Sequence, residues 1–336
     1  MPTIHDVARE AGVSARTVSR VLNEATNVRH ETRHMVLQVA ERMEYRLDPV
    51  ARALKSGRKR VIGMVVNTVS SDATQRRIEV VSKLFNAAGY AILVQYADTS
   101  QIEEAAVREI AARCDALVVF TNMRQATSPV FESLKTTNYP FILVDPPSQV
   151  SYPAIYLDRR SAYRETVTYL VRKNRTRLIL LVEEFRSDER REGFREGLAG
   201  MGLPFDARMV LHTAKGYGGG KSAATALAKL FTAGQADAVI CHNDKIALGL
   251  ISGLADQGIR VPQDMAVVGF DNDAYSAFVS PPLTTVAQGG DDQGGGYVGG
   301  GDVGAYIFEQ VRNKLEYSTS IEGKTFGTSM IIRASA

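Results

Sequence analysis

The sequence has few cysteines, no long apolar run and no amino-terminal export signal. Cys114 and Cys241 are its two cysteines, too few for the disulfide framework of a small secreted domain, and they fit a reducing cytoplasm. No apolar stretch reaches the ~18 residues that a membrane-spanning helix needs. The first twenty residues carry charges throughout, without the apolar block of a secretory signal. We therefore expect a cytoplasmic protein without membrane spans.

What is present is an ordinary globular composition with an uneven charge. The 336 residues, 45% apolar and 23% charged, suit two or three domains and not a disordered chain. Residues 1–60 contain 12 basic and 7 acidic residues, whereas the remaining 276 contain 28 and 30. A basic amino-terminal module suggests contact with a polyanion. On charge alone, a solvated basic face explains the bias equally well.

The first 22 residues have the pattern of two short helices joined by a turn. Thr3 and Asp6 have the spacing of a capping box, Gly12 suits a tight helix end with positive φ, and Ser14 can cap a second helix. The outward positions of that helix are Ala15, Arg16, Ser19 and Arg20. A helix-turn-helix places its second helix in the major groove. A generic helical hairpin is the alternative, but outward arginines suit guanine edges.

Two further segments follow this pair. A third helix is predicted from about Glu31 to Glu44 by its apolar spacing. After it, Pro49 can start and Gly57 can stop a short helix. Such a short helix is not stable by itself, so we expect it to fold only when something holds it.

The chain resembles the lactose-repressor/galactose-repressor (LacI/GalR) family of bacterial transcription regulators. The motifs that carry the resemblance are TIHDVAREAGVSARTVSRVLN, ETR, EYRLDPVARALKSG and VIGMVV. The resemblance covers the whole chain and is strongest over residues 3–66. It implies a sequence-specific regulator of the repressor type. Such a protein binds a pseudo-palindromic operator in double-stranded DNA as a homodimer, and a small-molecule effector controls it.

The resemblance also implies roles for single residues. The base-reading positions are Ala15, Arg16 and Arg20. The phosphate-contact positions are Thr3, Ser14, Thr17, Asn23 and Thr32. In the hinge helix, Ala51 and Leu54 would lie in the minor groove, with Leu54 as a wedge between base pairs. A merely solvated Thr17 and a buried linker Leu54 are the alternatives. Arg29 stands where the family often has a serine or threonine that caps the third helix.

Beyond residue 60, short apolar runs alternate with helical stretches. The runs are Val61–Val66, Ala91–Gln95, Ala116–Phe120, Phe141–Asp145, Leu178–Val182, Ala238–Cys241 and Ala266–Phe270. This alternation predicts doubly wound parallel sheets with right-handed crossovers. The fold class is therefore α/β with a helix-turn-helix head, and the resemblance implies a two-lobed body like a periplasmic binding protein.

The predicted domains follow from these patterns. Residues 1–46 form the helix-turn-helix domain, 47–58 the hinge helix and linker, and 59–336 the effector-binding and dimerisation domain. The resemblance implies an N-lobe of about 59–157 and 288–317, and a C-lobe of about 158–287 and 318–336. No heptad run follows the body, so we expect a dimer and not a tetramer.

Polar residues follow the predicted strands, where parallel α/β sheets bind ligands. They are Asp72, Asp145, Glu183, Glu184, Asn243, Asp244 and Asp271, with Arg190 at the start of a helix. Such groups suit the hydroxyls of a sugar or polyol, although each can equally cap a helix. The resemblance implies effector contacts by Asp145, Arg190, Asn243 and Asp271, and adds Tyr217; we include Asp72 in the predicted pocket.

The segment Ser71-Asp72-Ala73-Thr74 departs from the Asn-Pro-Phe-Phe of many family members. A small acidic wall replaces an aromatic one, so we expect a polyol, or an amino- or cation-bearing sugar, and not an aromatic purine. Induction and co-repression both fit the sequence.

Two glycine-rich stretches need interpretation. KGYGGGKSA at 215–223 looks like a phosphate loop, but Lys215 occupies the place of its first glycine, and we predict no strand directly before it. The stretch at 289–301 contains eight glycines, each costing a helix ~1 kcal/mol relative to alanine. We therefore expect a linker there, with the next helix beginning near Asp302.

Two other functional classes explain only part of the chain. A solute-binding protein accounts for the body, but the missing export signal opposes it. A sugar-modifying enzyme accounts for the pocket, but we recognise no nucleophile–base pair and no His/Cys metal spacing. We therefore expect no catalysis, no metal and no cofactor other than the effector.

Overall fold

The computed structural model describes residues 2–22, 28–45, 58–66, 72–121, 127–183, 188–289 and 301–336, except for the side chains at 100 and 301. The chain divides into two compact units, Met1–Arg60 and Val61–Ala336. Residues 46–57, which include most of the predicted hinge helix with Ala51 and Leu54, lie outside the described residues, as do Asn23 and Glu184. Their roles stay predictions.

Three helices make up the described part of the first unit: α1 (Ile4–Glu10), α2 (Ala15–Leu22) and α3 (His30–Arg42). The predicted capping box between Thr3 and Asp6 is confirmed. Gly12 has the expected positive φ, +64°, and the Oγ atom of Ser14 accepts a hydrogen bond from the backbone N–H of Thr17 at 3.1 Å. Arg29, at the N-cap of α3, makes no side-chain capping bond.

Each helix of this unit turns one apolar side inward, as its three-to-four-residue spacing predicts. The shared core consists of Val7, Ala8, Ala11, Val18, Val21, Val36, Val39 and Ala40. From α2, Val18 and Val21 are buried in this core, and Ala15 and Leu22 pack against it. The opposite side of α2 is left for solvent or for a partner.

The second unit contains two parallel sheets and a strand pair. The first sheet has the order β11-β5-β4-β3-β1-β2, the second has the order β7-β6-β8-β9, and β10 pairs antiparallel with β12. The strands are β1 (Val61–Val66), β2 (Ala91–Tyr96), β3 (Ala116–Phe120), β4 (Phe141–Val144), β5 (Ala154–Leu157), β6 (Leu178–Glu183), β7 (Val210–Thr213), β8 (Ala238–Cys241), β9 (Ala266–Val268), β10 (Thr285–Gln288), β11 (Lys324–Phe326) and β12 (Thr328–Ile331).

Helices cover both faces of each sheet. Each sheet with its helices forms one lobe, the first lobe around the six-stranded sheet and the second around the four-stranded sheet, and each lobe has two apolar cores. The described helices are α4 (Asp72–Ala87), α5 (Ser100–Ala111), α6 (Pro129–Thr136), α7 (Arg159–Arg172), α8 (Asp188–Gly200), α9 (Gly216–Thr232), α10 (Asp244–Asp256) and α11 (Gly301–Tyr317). Burial on both faces explains why strands such as β1 and β3 are almost continuously apolar.

The chain passes between the lobes at three adjacent points. The backbone N–H of Asp158 donates to the carbonyl oxygen of Phe326 at 2.9 Å, and that of Gly289 donates to the carbonyl of Gly327 at 3.0 Å. One predicted boundary was wrong: the C-lobe was expected to include all of 318–336, but β11 pairs with β5 in the first sheet. An edge strand of three residues is too short for its sequence pattern to show which sheet it joins.

The glycine-rich start of α9 serves helix packing. Contrary to our expectation, a strand, β7, directly precedes it. A Cβ atom on Gly220 would lie 2.0 Å from the carbonyl oxygen of Ile246, and one on Gly249 would lie 2.0 Å from that of Tyr217. These glycines therefore allow α9 and α10 to cross at close range. We also expected the helix after the glycine-rich stretch at 289–301 to begin near Asp302, and α11 begins one residue earlier, at Gly301.

We expect Gly249→Ala to destabilise the protein by ~1–3 kcal/mol, the usual cost of overpacking a close contact. Gly218→Ala is the matched control on α9, because a Cβ atom there meets no atom within 4 Å. That control should instead gain up to ~1 kcal/mol of helix propensity. Urea denaturation of both variants measures the change in the free energy of unfolding. A destabilisation of equal size in both variants would contradict the packing role of Gly249.

Candidate DNA-binding and effector sites

The exposed side of α2 presents two arginines. Arg16 and Arg20 are exposed, while Val18 and Val21 between and beside them are buried. Residues four apart share one face of a helix, so the two guanidinium groups lie on the same face. Ala15, also predicted to read bases, is half-buried at the start of the helix. The structure thus places all three base-reading candidates on one short helix.

Two other arginines of the first unit are engaged within it. Arg9 pairs with Asp6, and Arg42 pairs with Glu10 at 2.5 Å. In the part of the chain that the structure describes, neither Arg16 nor Arg20 forms an ion pair. Two cationic groups on an exposed helix face are therefore available to a polyanion.

The phosphate-contact candidates surround this helix in sequence, and their side chains differ in engagement. The hydroxyl of Thr3 donates to Asp6 at 2.7 Å. The hydroxyls of Ser14 and Thr17 lie 2.9 Å apart, and Thr32 is half-buried in the first turn of α3. Their contacts with phosphate stay predictions.

In the second unit, two carboxylates stand where strands of opposite lobes end. Asp145 follows β4 with φ of +58°, and Asp271 follows β9 with φ of +107°. Non-glycine residues seldom adopt such φ values, and those that do are concentrated at functional sites. The backbone N–H of Asp145 donates to Ile155, and that of Asp271 donates to Val286. Neighbouring strands thus hold both residues in this conformation.

Asp145 is bound by an arginine that sequence reasoning missed. Arg159, the first residue of α7, donates from Nη1 and Nη2 to the two carboxylate oxygens at 2.7 and 2.6 Å. The Nη1 atom also lies 3.6 Å from Glu189. The pair joins a strand of the first lobe to a helix of the second. No local pattern marks Arg159, because its partner is 14 residues away.

Asp271 belongs to a chain of hydrogen bonds that also crosses the lobes. Gln288 donates to its carboxylate, and Arg77 donates to the amide oxygen of Gln288. Arg76 donates to the carbonyl oxygens of Asp271 and Asn272 at 3.1 and 3.3 Å. Burial lowers the pKa of Arg77 to about 10 and raises the pKa of Asp271 to about 6. Sequence reasoning missed Arg77 and Gln288 as well.

Arg190 lies buried beside two aromatic rings, those of Tyr163 and Phe270, which stack on each other. It occupies the first turn of α8, and its Nε atom donates to the hydroxyl of Tyr163 at 3.2 Å. The guanidinium carbon is 5.8 Å from the ring centre of Tyr163 and 5.5 Å from that of Phe270. Such stacking orients the guanidinium fork, which can bind two oxygens at once.

A second polar group lies around Lys245. Its Nζ atom is 3.2 Å from Asp72, so this ion pair also joins the lobes. We expected Asp72 in a loop, but it is the first residue of α4. A short segment after a strand gives no sequence signal that separates a loop from a helix start. Burial raises the pKa of Tyr217, which is half-exposed, and the nearby charge of Lys245 opposes that shift.

Asn243 has the capping role that we kept as its alternative. Its Oδ1 atom accepts from the backbone N–H of Ile246 at 3.0 Å, at the N-cap of α10. Its contact with an effector stays a prediction. Beside it, the imidazole Nδ1 atom of His242 accepts from the backbone N–H of Glu183 at 3.3 Å.

Comparison with known proteins settles the family. The family profile "Bacterial regulatory proteins, lacI family" matches residues 3–48, and "Periplasmic binding protein-like domain" matches residues 167–294. The HTH-type transcriptional repressor PurR of Vibrio cholerae serotype O1 is 32% identical over 298 residues, which cover 86% of this chain and 87% of the relative. The chain belongs to the LacI family of bacterial regulatory proteins.

Two further comparisons agree with this LacI-family membership. Catabolite control protein A of Priestia megaterium is 30% identical over 298 residues, covering 85% of this chain and 87% of that protein. The Lac repressor dimer bound to operator and the anti-inducer ONPF has the same fold, with a TM-score of 0.83 at 22% identity over 99% of this chain and 98% of that one. The protein is thus a DNA-binding transcriptional regulator of the LacI type. Among its described helices, none is long and apolar enough to span a bilayer.

Buried carboxyl groups of this LacI-family body set its response to pH. Burial raises the pKa of Asp244 to about 7 and that of Asp273 to about 8, from 3.8. Between pH 4 and 8, the folded chain therefore holds protons that the unfolded chain has lost. We expect these groups to stabilise the fold most at low pH and to lose that contribution as the pH rises, by at most ~1.4 kcal/mol per pH unit for each carboxyl.

Urea denaturation between pH 5 and 8 checks this expectation. The variant Asp273→Asn removes one titrating group with little change in shape, so its stability should fall less steeply with pH. A wild-type stability that rises over this range would contradict the prediction.

Proposed function

We propose that this regulator binds a pseudo-palindromic operator as a homodimer, and that a small hydroxylated molecule in the cleft between its lobes changes that affinity. One observation carries the proposal: the same chain combines an exposed arginine pair on α2 with buried and half-buried ion pairs that join polar groups of the two lobes at the strand ends. The first feature suits duplex DNA, and the second suits a ligand that changes how the lobes meet.

The DNA-binding half of the proposal uses the groove geometry of helix-turn-helix proteins. Arg16 and Arg20 would reach base edges from α2, because guanidinium groups bind guanine in a bidentate manner. One head spans few base pairs, so two heads related by a two-fold axis would bind two half-sites. Ala51 and Leu54 would complete the complex in the minor groove.

The effector half uses the convergence of polar groups at the strand ends. The predicted contacts are Asp72, Asp145, Arg190, Tyr217, Asn243 and Asp271, to which the geometry adds Arg77, Arg159 and Gln288. Buried, well-oriented donors and acceptors of this kind suit a sugar or polyol. The related Lac repressor has operator and ONPF bound in one structure, which supports the same pair of ligand classes. By linkage, effector and operator would each alter the other's affinity.

Dimerisation would use exposed apolar side chains of the second unit. Val94 and Tyr96 lie on the edge strand β2, and Phe278 of the second lobe is 77% exposed. Large apolar side chains at a sheet edge suit contact with another chain. We further propose that the protein acts in the cytoplasm and catalyses no reaction.

Fluorescence anisotropy with genomic DNA fragments tests the proposed function. We expect one fragment to bind in preference to others, with two protein chains per operator. An interface with 6–10 phosphate contacts should lose ~10³–10⁵-fold in affinity between 50 and 200 mM salt. Equal affinity for all fragments, or one chain per site, would refute the proposal.

Arg16→Ala should relax base preference at one operator position and cost ~1–3 kcal/mol of specific binding. The reason is the loss of a bidentate contact with one base. Arg208→Ala is the control, because this arginine is 90% exposed in the second unit and pairs locally with Asp206. Anisotropy against a set of singly substituted operators measures both variants. A uniform loss over all sequences would assign Arg16 to phosphate and not to a base.

A further inference from the structure

We propose that the effector carries an oxyanion, a carboxylate or phosphate, and that the buried arginines Arg77, Arg159 and Arg190 hold it. The inference rests on the proposed function, since it concerns the same cleft. It narrows the sequence-based expectation, which also allowed a sugar with a cationic group.

The first support is the buried charge. Arg77, Arg159 and Arg190 are 1%, 7% and 4% exposed, and they surround the partly buried carboxylate of Asp145 and the buried carboxylate of Asp271. Buried ions are stable only when they are paired. Among the described side chains of this group, three arginines face two carboxylates, which leaves one positive charge in excess. Glu189 touches its edge at 3.6 Å, but its side chain is 47% exposed, where water screens it.

The second support is the state of the two carboxylates. We expected both to accept hydroxyl groups of a sugar. Asp145 already receives two hydrogen bonds from Arg159, and Asp271 receives one from Gln288. Because Arg159 binds both oxygens of Asp145 and Gln288 binds one oxygen of Asp271, the arginine donors make up much of what this part of the cleft offers a ligand.

The third support is a pair of donors without acceptors. Within the described residues, the Nε atoms of Arg77 and Arg159 are buried and have no hydrogen-bond partner. A buried donor without a partner costs ~1–3 kcal/mol. The oxygens of a carboxylate or phosphate would satisfy such donors and neutralise the excess charge together.

The remaining acids of the cleft face other groups. Asp72 pairs with Lys245, and Asp244 accepts three hydrogen bonds within its own lobe. Asp273 lies among Asp244, Asp271 and Lys245, where burial and the neighbouring carboxylates raise its pKa, and among the described residues its buried Oδ1 atom has no hydrogen-bond partner. Asp72 and Asp244 are therefore engaged away from the arginines, burial disfavours a further negative charge on Asp273, and Asp273 can exchange a hydrogen bond with a ligand hydroxyl.

The arrangement of Arg190 fits the same ligand class. Its guanidinium lies against the rings of Tyr163 and Phe270, which restricts its orientation before a ligand arrives. A planar, oriented fork matches the two oxygens of a carboxylate or phosphate better than it matches single hydroxyls.

Calorimetry of the full-length protein with matched compounds tests the inference. The panel contains glucose, gluconate, glucuronate, glucose 6-phosphate and glucosamine, with galactose and galacturonate as a second neutral–acid pair. At least one acid should bind ~10-fold or more tightly than its neutral counterpart, because hydrogen bonds to charged groups are stronger. Tighter binding of gluconate, glucuronate or galacturonate would identify the oxyanion as a carboxylate. Tighter binding of glucose 6-phosphate would identify it as a phosphate.

Two variants test the assigned residues. Arg77→Met keeps length and burial without the charge, and should bring the acid to within about twofold of the neutral compound while operator binding persists. If this variant does not fold, Arg159→Gln, at a position that starts a helix, is measured in its place. Arg208→Ala is the matched surface control and should keep the preference of the wild type.

The outcomes separate the inference from the proposed function. A neutral or amino sugar that binds as tightly as every acid, or a panel with no preferred acid, overturns the inference. Operator binding in the anisotropy experiment is measured independently. A protein that binds its operator but shows no acid preference therefore refutes only the oxyanion, whereas one that binds no operator refutes the proposed function.

Discussion

Asp244→Ala is expected to destabilise the second unit by about 3 kcal/mol. The carboxylate of Asp244 is fully buried and accepts hydrogen bonds from the backbone N–H of Asp273 at 2.7 Å, from Ser276 at 2.6 Å and from Thr285 at 2.5 Å. Each donor left unpaired in the interior costs ~1–3 kcal/mol. Because burial raises the pKa of Asp244 to about 7, removal of a costly carboxyl offsets part of this loss.

Thermal and urea unfolding of the second unit measure the effect. Asp256→Ala is the matched control at the other end of α10, where the side chain is 58% exposed and pairs with Lys221 at 3.0 Å. Exposed ion pairs contribute ~0–1 kcal/mol, so the control should be close to the wild type. Equal stability of the two variants would show that the three donors find other acceptors.

Arg190→Ala is expected to abolish the effector response and to leave operator binding intact. The side chain is buried among Tyr163, Phe270 and the carboxylate of Asp271, in the second unit and not in the helix-turn-helix. Charge-assisted hydrogen bonds contribute ~1.5–3 kcal/mol each, so the loss of two would weaken effector binding by ~100-fold or more.

Operator anisotropy with and without effector measures the response, and calorimetry measures effector affinity. Arg195→Ala is the matched control on the same helix, because its side chain is 53% exposed and pairs with Glu192. The control should respond to effector like the wild type. A normal response in Arg190→Ala would remove Arg190 from the effector site.

The helix-turn-helix could be predicted from the sequence because its signals are local. The capping box at Thr3 and Asp6, the positive φ of Gly12 and the cap at Ser14 each involve residues within a few positions of one another, and all three are confirmed. The apolar spacing of α1, α2 and α3 likewise identifies the face that becomes buried. The same spacing is enough to place Arg16 and Arg20 on the exposed face.

The sequence predicted seven of the twelve described strands and missed five. The runs that form β1, β3 and β8 were predicted with the bounds that the structure has. The predictions omitted β5, β7, β10, β11 and β12, which have three or four residues each. Three or four residues are too few for an alternation of buried and exposed side chains to be told from chance. Whether such a segment becomes a strand depends on pairing with another strand far along the chain.

The family, the fold class, the exposed arginine face of α2 and the strand ends at which polar groups collect all follow from the amino-acid sequence. These features depend on periodicity, caps and motifs that lie within short stretches of chain. The partners of those polar groups emerge only in the folded chain: Arg159 for Asp145, Gln288 and Arg77 for Asp271, Lys245 for Asp72. Such pairs join residues up to 211 positions apart. Hydrogen-bond geometry and buried charge depend on distance in space, which no local pattern records.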